Sequence, residues 1–350
     1  MYSSLRLQNF RSYKDYSLEL GPGVNIIVGP NASGKTNLLE ALYVISTGRS
    51  FRVKDEDLIN FNSDWSRLDS RYGSTERVIK IARNNGRLNK TLTIDDLPNN
   101  KIKPTNLIPI TLFEPQDLRL FGDPPEARRN YLDSIIEQID PSYHNTRLRY
   151  KKVLFQRNQY LKKNIHSKKD DIFVWDLQLS SLGSVISKKR EHIINQINKT
   201  SGKVYSLISQ KKSELKIVYK PNLSAQDYST TMLNLLSKDL EQDTLRGFTS
   251  IGPHRDDFEV FLNKNNVLSS ASRGETRTII LALKLIELSI LEDLTARKPL
   301  LLLDDVFSEL DGARRQALTK YLKDYQTIIT TTDADAVLDH FMSDYKVIPL

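Results

Sequence analysis

The chain has 350 residues, with 51 Lys and Arg against 43 Asp and Glu, a formal charge of +8 and no cysteine. Disulfide frameworks, thiolate nucleophiles and cysteine-ligated metals are excluded, and no apolar run approaches the roughly 20 residues that span a bilayer. The opening Met1-Tyr2-Ser3-Ser4-Leu5-Arg6 lacks a basic stretch followed by an apolar core, so a cytoplasmic protein of about two domains, with no membrane partner, is expected.

Leu5–Phe10 and Tyr16–Leu20 alternate apolar and polar residues as half-buried strands do. The turn Gly21-Pro22-Gly23 leads into an apolar strand, Val24–Val28, and then the loop Gly29-Pro30-Asn31-Ala32-Ser33-Gly34-Lys35-Thr36. Beyond it Leu38, Leu39, Ala41, Leu42 and Ile45 fit a helix. The loop satisfies G-x-x-x-x-G-K-[ST] in the required strand-to-helix context. Its glycines let backbone N–H groups and the helix N-terminus surround phosphates, Lys35 brings charge to the β and γ positions, and Thr36 offers a hydroxyl to Mg²⁺. ATP and Mg²⁺ are therefore the expected cofactors.

Residues 76–113 read as short strands with turns at Asn84-Asn85-Gly86 and Pro98-Asn99-Asn100. The composition then changes: residues 140–220 hold 18 Lys and Arg but six acids, a local charge of +12 that leaves the remainder at −4. Leu182, Ile186, Ile193, Ile197, Val204 and Ile208 form a helical stripe. Two long helices are predicted, 125–164 and 174–210, joined by a polar loop from Asn164 to Asp171. Such charge segregation suggests a face for a polyanion, nucleic acid first and an anionic membrane second, with Lys188, Lys189 and Arg190 among its cations. A solvated helix surface is the alternative.

From about 245 the strands return, with a hairpin across Asn263-Lys264-Asn265-Asn266, a helix over Glu275–Leu291, an apolar strand over Leu300–Leu303, a further helix and a strand over Thr327–Thr331. Asp304, ending an apolar strand, fits the acid that completes Mg²⁺ binding in P-loop NTPases. Asp305 is placed to orient or deprotonate an attacking water. A strand running into an acidic helix cap has the same pattern. The expected organisation is one α/β domain built from 1–121 and 245–350 (lobe I), with a helical lobe, 122–244 (lobe II), inserted.

Ser272-Arg273-Gly274-Glu275, at a helix start, is similar to the ABC signature Ser-Gly-Gly-Gln, with Arg273 and Glu275 as departures. Ser308-Glu309-Leu310-Asp311 resembles a D-loop, and Leu7-Gln8-Asn9-Phe10-Arg11-Ser12-Tyr13 resembles the opening strand and turn of SMC-type heads. With the long insertion between Lys35 and Asp304, the chain resembles the SMC-like branch of the ABC ATPases. Within that branch it is similar to the RecF family, on Pro115-Gln116-Asp117-Leu118, Gly122, Arg128-Arg129, Leu132-Asp133 and Gly252-Pro253-His254-Arg255-Asp256-Asp257. Asn37–Ala41 and Gly48–Arg52 agree as well.

The resemblance implies an α/β P-loop ABC-type ATPase head, SMC-like, with an inserted, mainly helical lobe. It implies that Arg11 joins the phosphate loop at the nucleotide, and that Gln116 joins Thr36 and Asp304 at the metal; a polar turn after Pro115 is the competing reading of Gln116. Ser272, Arg273, Gly274 and Glu275 would act in trans in an ATP-dependent homodimer, and Ser308 and Asp311 would belong to the D-loop. Recognition of DNA at single-strand gaps or junctions, with RecR, RecO and RecA as partners in recombinational repair and the SOS response, follows from the same resemblance. Asp305 stands where many ABC ATPases have Glu, and Thr332 where a switch His is expected, which implies weak hydrolysis used as a switch. His254 has no second His at ligand spacing and is read as structural or DNA-proximal. Two other readings are a transporter motor subunit, opposed by the basic lobe, and a chromosome-organising SMC protein. The latter needs a long arm, whereas helices of about 35 residues span only about 50 Å.

Overall fold

The computed structural model describes all residues except 85, 100–105, 164–167, 225, 334–336 and 338–344. It divides into two compact units, one of Met1–Leu118, Leu207–Gln210 and Arg277–Leu350, the other of Arg119–Ser206 and Lys211–Thr276.

The first unit begins with β1 (Tyr2–Phe10), β2 (Tyr13–Glu19), β3 (Val24–Val28), α1 (Lys35–Thr47), β4 (Trp65–Tyr72), β5 (Thr75–Asn84), β6 (Arg87–Ile94), β7 (Leu97–Asn99) and β8 (Ile110–Phe113). The second contains α2 (Pro125–Ile139), α3 (Pro141–Lys163), most of α4 (Lys169–Ser209), β9 (Leu215–Lys220), α5 (Tyr228–Lys238), α6 (Leu240–Arg246), β10 (Asp257–Leu262), β11 (Asn265–Asn266) and α7 (Val267–Ser270). The chain then runs through α8 (Arg273–Thr295), whose first turn is grouped with the second unit, to β12 (Leu300–Asp304), α9 (Gly312–Leu322), β13 (Thr327–Thr331) and β14 (Tyr345–Pro349) in the first.

In the first unit an antiparallel sheet, ordered β2-β1-β4-β5-β6-β7, and a parallel sheet, ordered β14-β3-β13-β12-β8, share one core. Helix α1 turns a broad apolar face to that core, with Leu38, Leu39, Ala41, Leu42, Val44 and Ile45 all buried among Tyr2, Leu7 and Ile79 of one sheet and Ile27, Leu302 and Ile328 of the other. An apolar face this wide is packed on both sheets, and each Val, Leu or Ile side chain removed from water contributes about 1.5–3 kcal/mol. The unbroken Leu300–Leu303 run has the same origin: β12 is covered on both faces, so it has no reason to alternate.

The structure alters several expectations. The helix predicted over 125–164 is broken at Asp140, which is extended (φ −128, ψ 93), because a residue preceding proline is pushed out of the helical region. The next helix starts at Lys169, and residues 164–167 of the expected loop lie outside the described residues. Leu97–Asn99 is a strand, and its turn is Asp95-Asp96, both with positive φ; Asn85 and Asn100, assigned to turns, are not described. Residues 245–276 group with the second unit instead of the ATPase lobe, because β10 pairs along its whole length with β9. Strands β9 and β14 and helices α5 and α6 had no place in the sequence reading. The hairpin at Asn263-Lys264 and the stripe on α4 are where they were expected, with Ile186, Ile193, Ile197, Val204 and Ile208 buried. Among the described residues no helix is long and apolar enough to cross a membrane.

Candidate functional site

Register in the parallel sheet assembles the site. Asp304 pairs with Thr330, Thr330 with Ile27 and Thr331 with Val28, so β12, β13 and β3 end level with one another beside Gly29. On the other flank Leu303 pairs with Phe113, which brings Glu114 to the same edge. Ligands in open α/β sheets bind at such carboxyl ends.

The loop from Gly29 to Thr36 curls through two left-handed residues, Ala32 (φ 66) and Gly34 (φ 105), a backbone form that points N–H groups into an anion-binding concavity. A Cβ on Gly34 would lie 2.7 Å from the Tyr13 hydroxyl, and one on Gly29 2.7 Å from Ser33 Oγ, so a side chain at either position would have to displace its neighbour. The Tyr13 hydroxyl and Ser33 Oγ are buried here with no hydrogen-bond partner among the described residues. Lys35 is 8% exposed and donates to the carbonyls of Gly29 (2.7 Å) and Pro30 (2.8 Å). Helix geometry leaves the N–H groups of the first turn of α1 without intrahelical acceptors, and the helix dipole adds positive potential at this end.

Thr36 Oγ1 donates to the Asp304 carboxylate, 3.1 Å from Oδ1 and 2.9 Å from Oδ2, and Thr330 Oγ1 donates to Oδ1 at 2.7 Å. Asp305 is left-handed (φ 54) and its N–H is held by the carbonyl (3.1 Å) and hydroxyl (3.0 Å) of Thr330. Non-glycine residues in this region cost about 1–3 kcal/mol and are retained where the surroundings enforce them. Burial raises the Asp305 pKa against the opposing charge of Lys35, toward the range useful for a base.

Arg11 and Gln116 are engaged by side chains and carbonyls of the protein itself. Arg11 is 2.9 Å from Glu40 of α1 in an ion pair and donates to the Asp57 carbonyl at 2.9 Å; it fastens the β1–β2 turn, while its neighbours reach the loop. Ser12 accepts from Asn37 (2.9 Å), and Tyr13 covers Gly34. Gln116 is exposed and donates to Glu114 at 2.7 Å. Burial raises the Glu114 pKa, and the charges of Asp117 and Asp304 add to the effect. The sequence assigned Tyr13, Thr330 and Glu114 no role at the site; only the strand register brings the last two to it.

Ser272 and Glu275 form a capping box at the start of α8. Ser272 N and Oγ donate to Glu275 Oε2 (2.9 and 2.8 Å), and Glu275 N donates back to Ser272 Oγ at 3.3 Å. Both are exposed, as is Arg273, and Gly274 is half-buried. Ser308 is exposed, and Asp311 caps α9 by accepting from Arg314 N at 3.0 Å. Thr332, at the switch position, is exposed.

In the second unit the two distant family stretches meet. Arg128 makes a bidentate pair with Asp257 (2.7 and 2.8 Å), and Arg129 donates to the Asp256 carbonyl at 2.8 Å. Arg190 makes a bidentate pair with Asp133 (2.9 and 3.0 Å) and donates to the Pro253 carbonyl at 2.6 Å. Arg190 is thus 4% exposed and lies inside the unit, unlike exposed Lys188 and Lys189. His254 Nδ1 accepts from the Tyr150 hydroxyl at 2.8 Å and Nε2–H donates to the Thr249 carbonyl at 3.0 Å. Gly252 (φ 134) approaches that tyrosine too closely for any Cβ.

Residues 1–347 match the family described as RecF/RecN/SMC N terminal domain. The chain is similar to a Clostridium beijerinckii protein named DNA replication and repair protein RecF, at 36% identity over 98% of this chain and 95% of that protein. It is similar to one of the same name from Alkaliphilus oremlandii, at 35% identity over 96% and 94%. Among solved structures it resembles the recombination mediator protein RecF with ATP, in the RecFOR pathway, with a TM-score of 0.82 and 33% identity over 95% and 92% of the two chains. An SMC head bound to the C-winged helix domain of ScpA shares the fold alone, at 14% identity and a TM-score of 0.57 over 99% and 93%.

Proposed function

Because the chain belongs to the RecF/RecN/SMC N-terminal domain family, and within it to the RecF proteins, we propose that it is an ATP-controlled DNA-binding protein of recombinational repair. The observation that carries this reading is the junction of Thr36 with Asp304 beside Lys35 and the curled loop. Gly29 to Thr36 hold the nucleotide phosphates, and Lys35 exchanges its two carbonyl partners for phosphate oxygens. The donor set suits Mg²⁺: a hydroxyl and a carboxylate, both hard oxygen ligands, completed by phosphate. Thr36 and Asp304 are the residues that would hold the ion, which when bound neutralises charge on the β and γ phosphates. Thr330 orients Asp304 for that role, and Asp305, fixed by Thr330 from the backbone side, holds the proton of the attacking water.

The exposed Ser272 helix start supports closure by a second copy. One γ-phosphate attracts positive backbone dipoles from both sides, so ATP joins the phosphate loop of one subunit to the signature of its partner. The closed dimer binds DNA at gaps or junctions and acts with RecR and RecO in loading RecA, in the cytoplasm, with hydrolysis as a slow release step. Sedimentation with and without ATP and a gapped duplex tests this. The expected result is a monomer that becomes a dimer with ATP and co-sediments with DNA only in that form. A species whose mass and DNA binding ignore ATP refutes it.

A further inference from the structure

The second unit contains a cavity of about 100 Å³ between α2, α3, α4 and the loop of Pro253 and His254. That is several times the roughly 15 Å³ that admits one water, so it accommodates a group of phosphate size. Arg129, Arg147, Lys151 and Arg190 line it, against Glu126 and Asp133. With His254 uncharged at neutral pH, because burial drives its pKa down to about 4, the lining carries a net charge of +2.

The cations are built in. Asp133, 3% exposed, takes Arg190 on one side and Arg147 (2.9 Å) on the other, and Glu137 adds a second anchor for Arg147 at 3.3 Å. These buried carboxylates fix the guanidinium groups of Arg147 and Arg190, so of the carboxylates lining the cavity only Glu126 is left to offset Arg129 and Lys151. Burial first, and then the neighbouring Arg190 charge, lower the Arg129 pKa, with the carboxylates of Glu126, Asp257 and Asp256 opposing them. Lys151 is exposed and follows Arg147 by one turn of α3, and the same helix exposes Arg149 and Lys152. An isolated anion needs only the cavity; the continuation of positive charge along α3 fits a polyanion.

We propose that this cavity seats one backbone phosphodiester of DNA, with Arg129 and Lys151 as the contacting cations and Asp133, Arg147 and Arg190 as the residues that position them. The proposal rests on the DNA-binding function above and adds where the backbone docks. Planar guanidinium groups match phosphate oxygens in pairs, and such contacts carry no base information.

The test is binding of a labelled gapped duplex to the full chain with ATP across a salt series, for the wild type and for Arg129→Gln/Lys151→Gln. A lost phosphate contact flattens the slope of log affinity against log salt by about 0.9, so the double variant, which empties one phosphate seat, should lose about 0.9 and bind about tenfold more weakly near 0.1 M salt. Arg129→Lys on its own should keep the wild-type slope. Melting and ATP binding, read on the same samples, report the state of each unit. If the double variant does not fold, Lys151→Glu, at an exposed position, replaces it and should steepen the loss. Unchanged affinity and slope in a folded variant overturn the seat while leaving the DNA-binding function standing. Failure of the wild type to bind DNA overturns both. Stabilisation of the wild type by inorganic phosphate, absent in the double variant and accompanied by an unchanged DNA slope, assigns the cavity to a free anion and also overturns the proposal.

Discussion

Thr330 Oγ1 donates to Asp304 Oδ1 at 2.7 Å from a strand that lies between the two strands carrying the phosphate loop and Asp304. Thr330 is fully buried, so removing its hydroxyl leaves a buried carboxylate oxygen short of a donor. Thr330→Val should cost about 1–3 kcal/mol of stability, read by thermal melting. It should also weaken Mg²⁺-dependent hydrolysis more than ATP binding. Wild-type hydrolysis in this variant would show that Thr330 does not orient the acid.

Lys35→Ala should abolish nucleotide binding, measured by titration with a fluorescent ATP analogue. Lys35 supplies the cation of the loop, and its ammonium now rests on two carbonyls of the same loop, 2.7 and 2.8 Å away. Such charge-assisted contacts transfer readily to stronger acceptors. Undiminished ATP affinity would remove the phosphate-loop assignment.

What the sequence disclosed follows the range of the interactions involved. Gly29 to Thr36 could be read directly because its chemistry is local: a strand, two glycines that a Cβ would obstruct, and a helix start. Asp304 was legible because a strand buried on both faces leaves an unbroken apolar run before it. Thr330 and Glu114 were not, since their places depend on strand order and register, β3-β13-β12-β8, which set Thr330 beside Asp304 and Ile27 and carry Phe113 to Leu303, far away in the sequence. The partners of Arg11 were hidden for a related reason. Its turn does reach the loop, but through Ser12 and Tyr13, while Arg11 itself pairs with Glu40. Arg190 looked like part of a basic surface because the sequence gives no sign of Asp133 across the unit.

Ser272 has two roles to separate. The capping box predicts that Ser272→Ala lowers stability by about 1 kcal/mol. The interface role predicts that Ser272→Arg leaves ATP binding by the monomer nearly intact and blocks ATP-dependent dimerisation. Glu275→Gln is the informative companion, because Gln also closes a capping box and brings the tetrapeptide nearer the ABC signature. It should dimerise with ATP at least as well as the wild type. Ser272→Arg that still dimerises, with only its melting temperature lowered, would leave the cap as its whole role.

Acid should weaken the second unit through His254. Its folded pKa is about 4 against an ordinary 6.5, chiefly because it is buried. Between those values the unfolded chain binds a proton that the folded chain refuses, so stability rises with pH across that window and is lost as pH falls through it. The limiting effect is about 3 kcal/mol. Glu287, buried and raised from 4.5 to about 7, works in the opposite direction, its folded form holding a proton that the unfolded chain releases. The readout is therefore the difference between the wild type and His254→Asn in denaturant melts from pH 4 to 7. A difference independent of pH would show that His254 does not titrate as its burial dictates.

Asp305 combines a left-handed backbone with a carboxylate one methylene shorter than the Glu of many ABC ATPases, and exposed Thr332 occupies the switch position. Turnover should therefore fall well below the about 10 s⁻¹ typical of enzymes. Asp305→Asn isolates the carboxylate, because Asn tolerates positive φ as readily as Asp and keeps the N–H that Thr330 holds. A positioned base contributes about 10²–10⁴-fold, so this variant should lose at least about 100-fold in hydrolysis while still binding ATP. Since release is assigned to hydrolysis, its ATP-bound dimer should persist on DNA far longer than the wild type, as followed by dissociation after a chase with unlabelled DNA. Hydrolysis unchanged in Asp305→Asn would move the base elsewhere, with Glu114, at the same sheet edge and raised in pKa by burial, the next residue to replace.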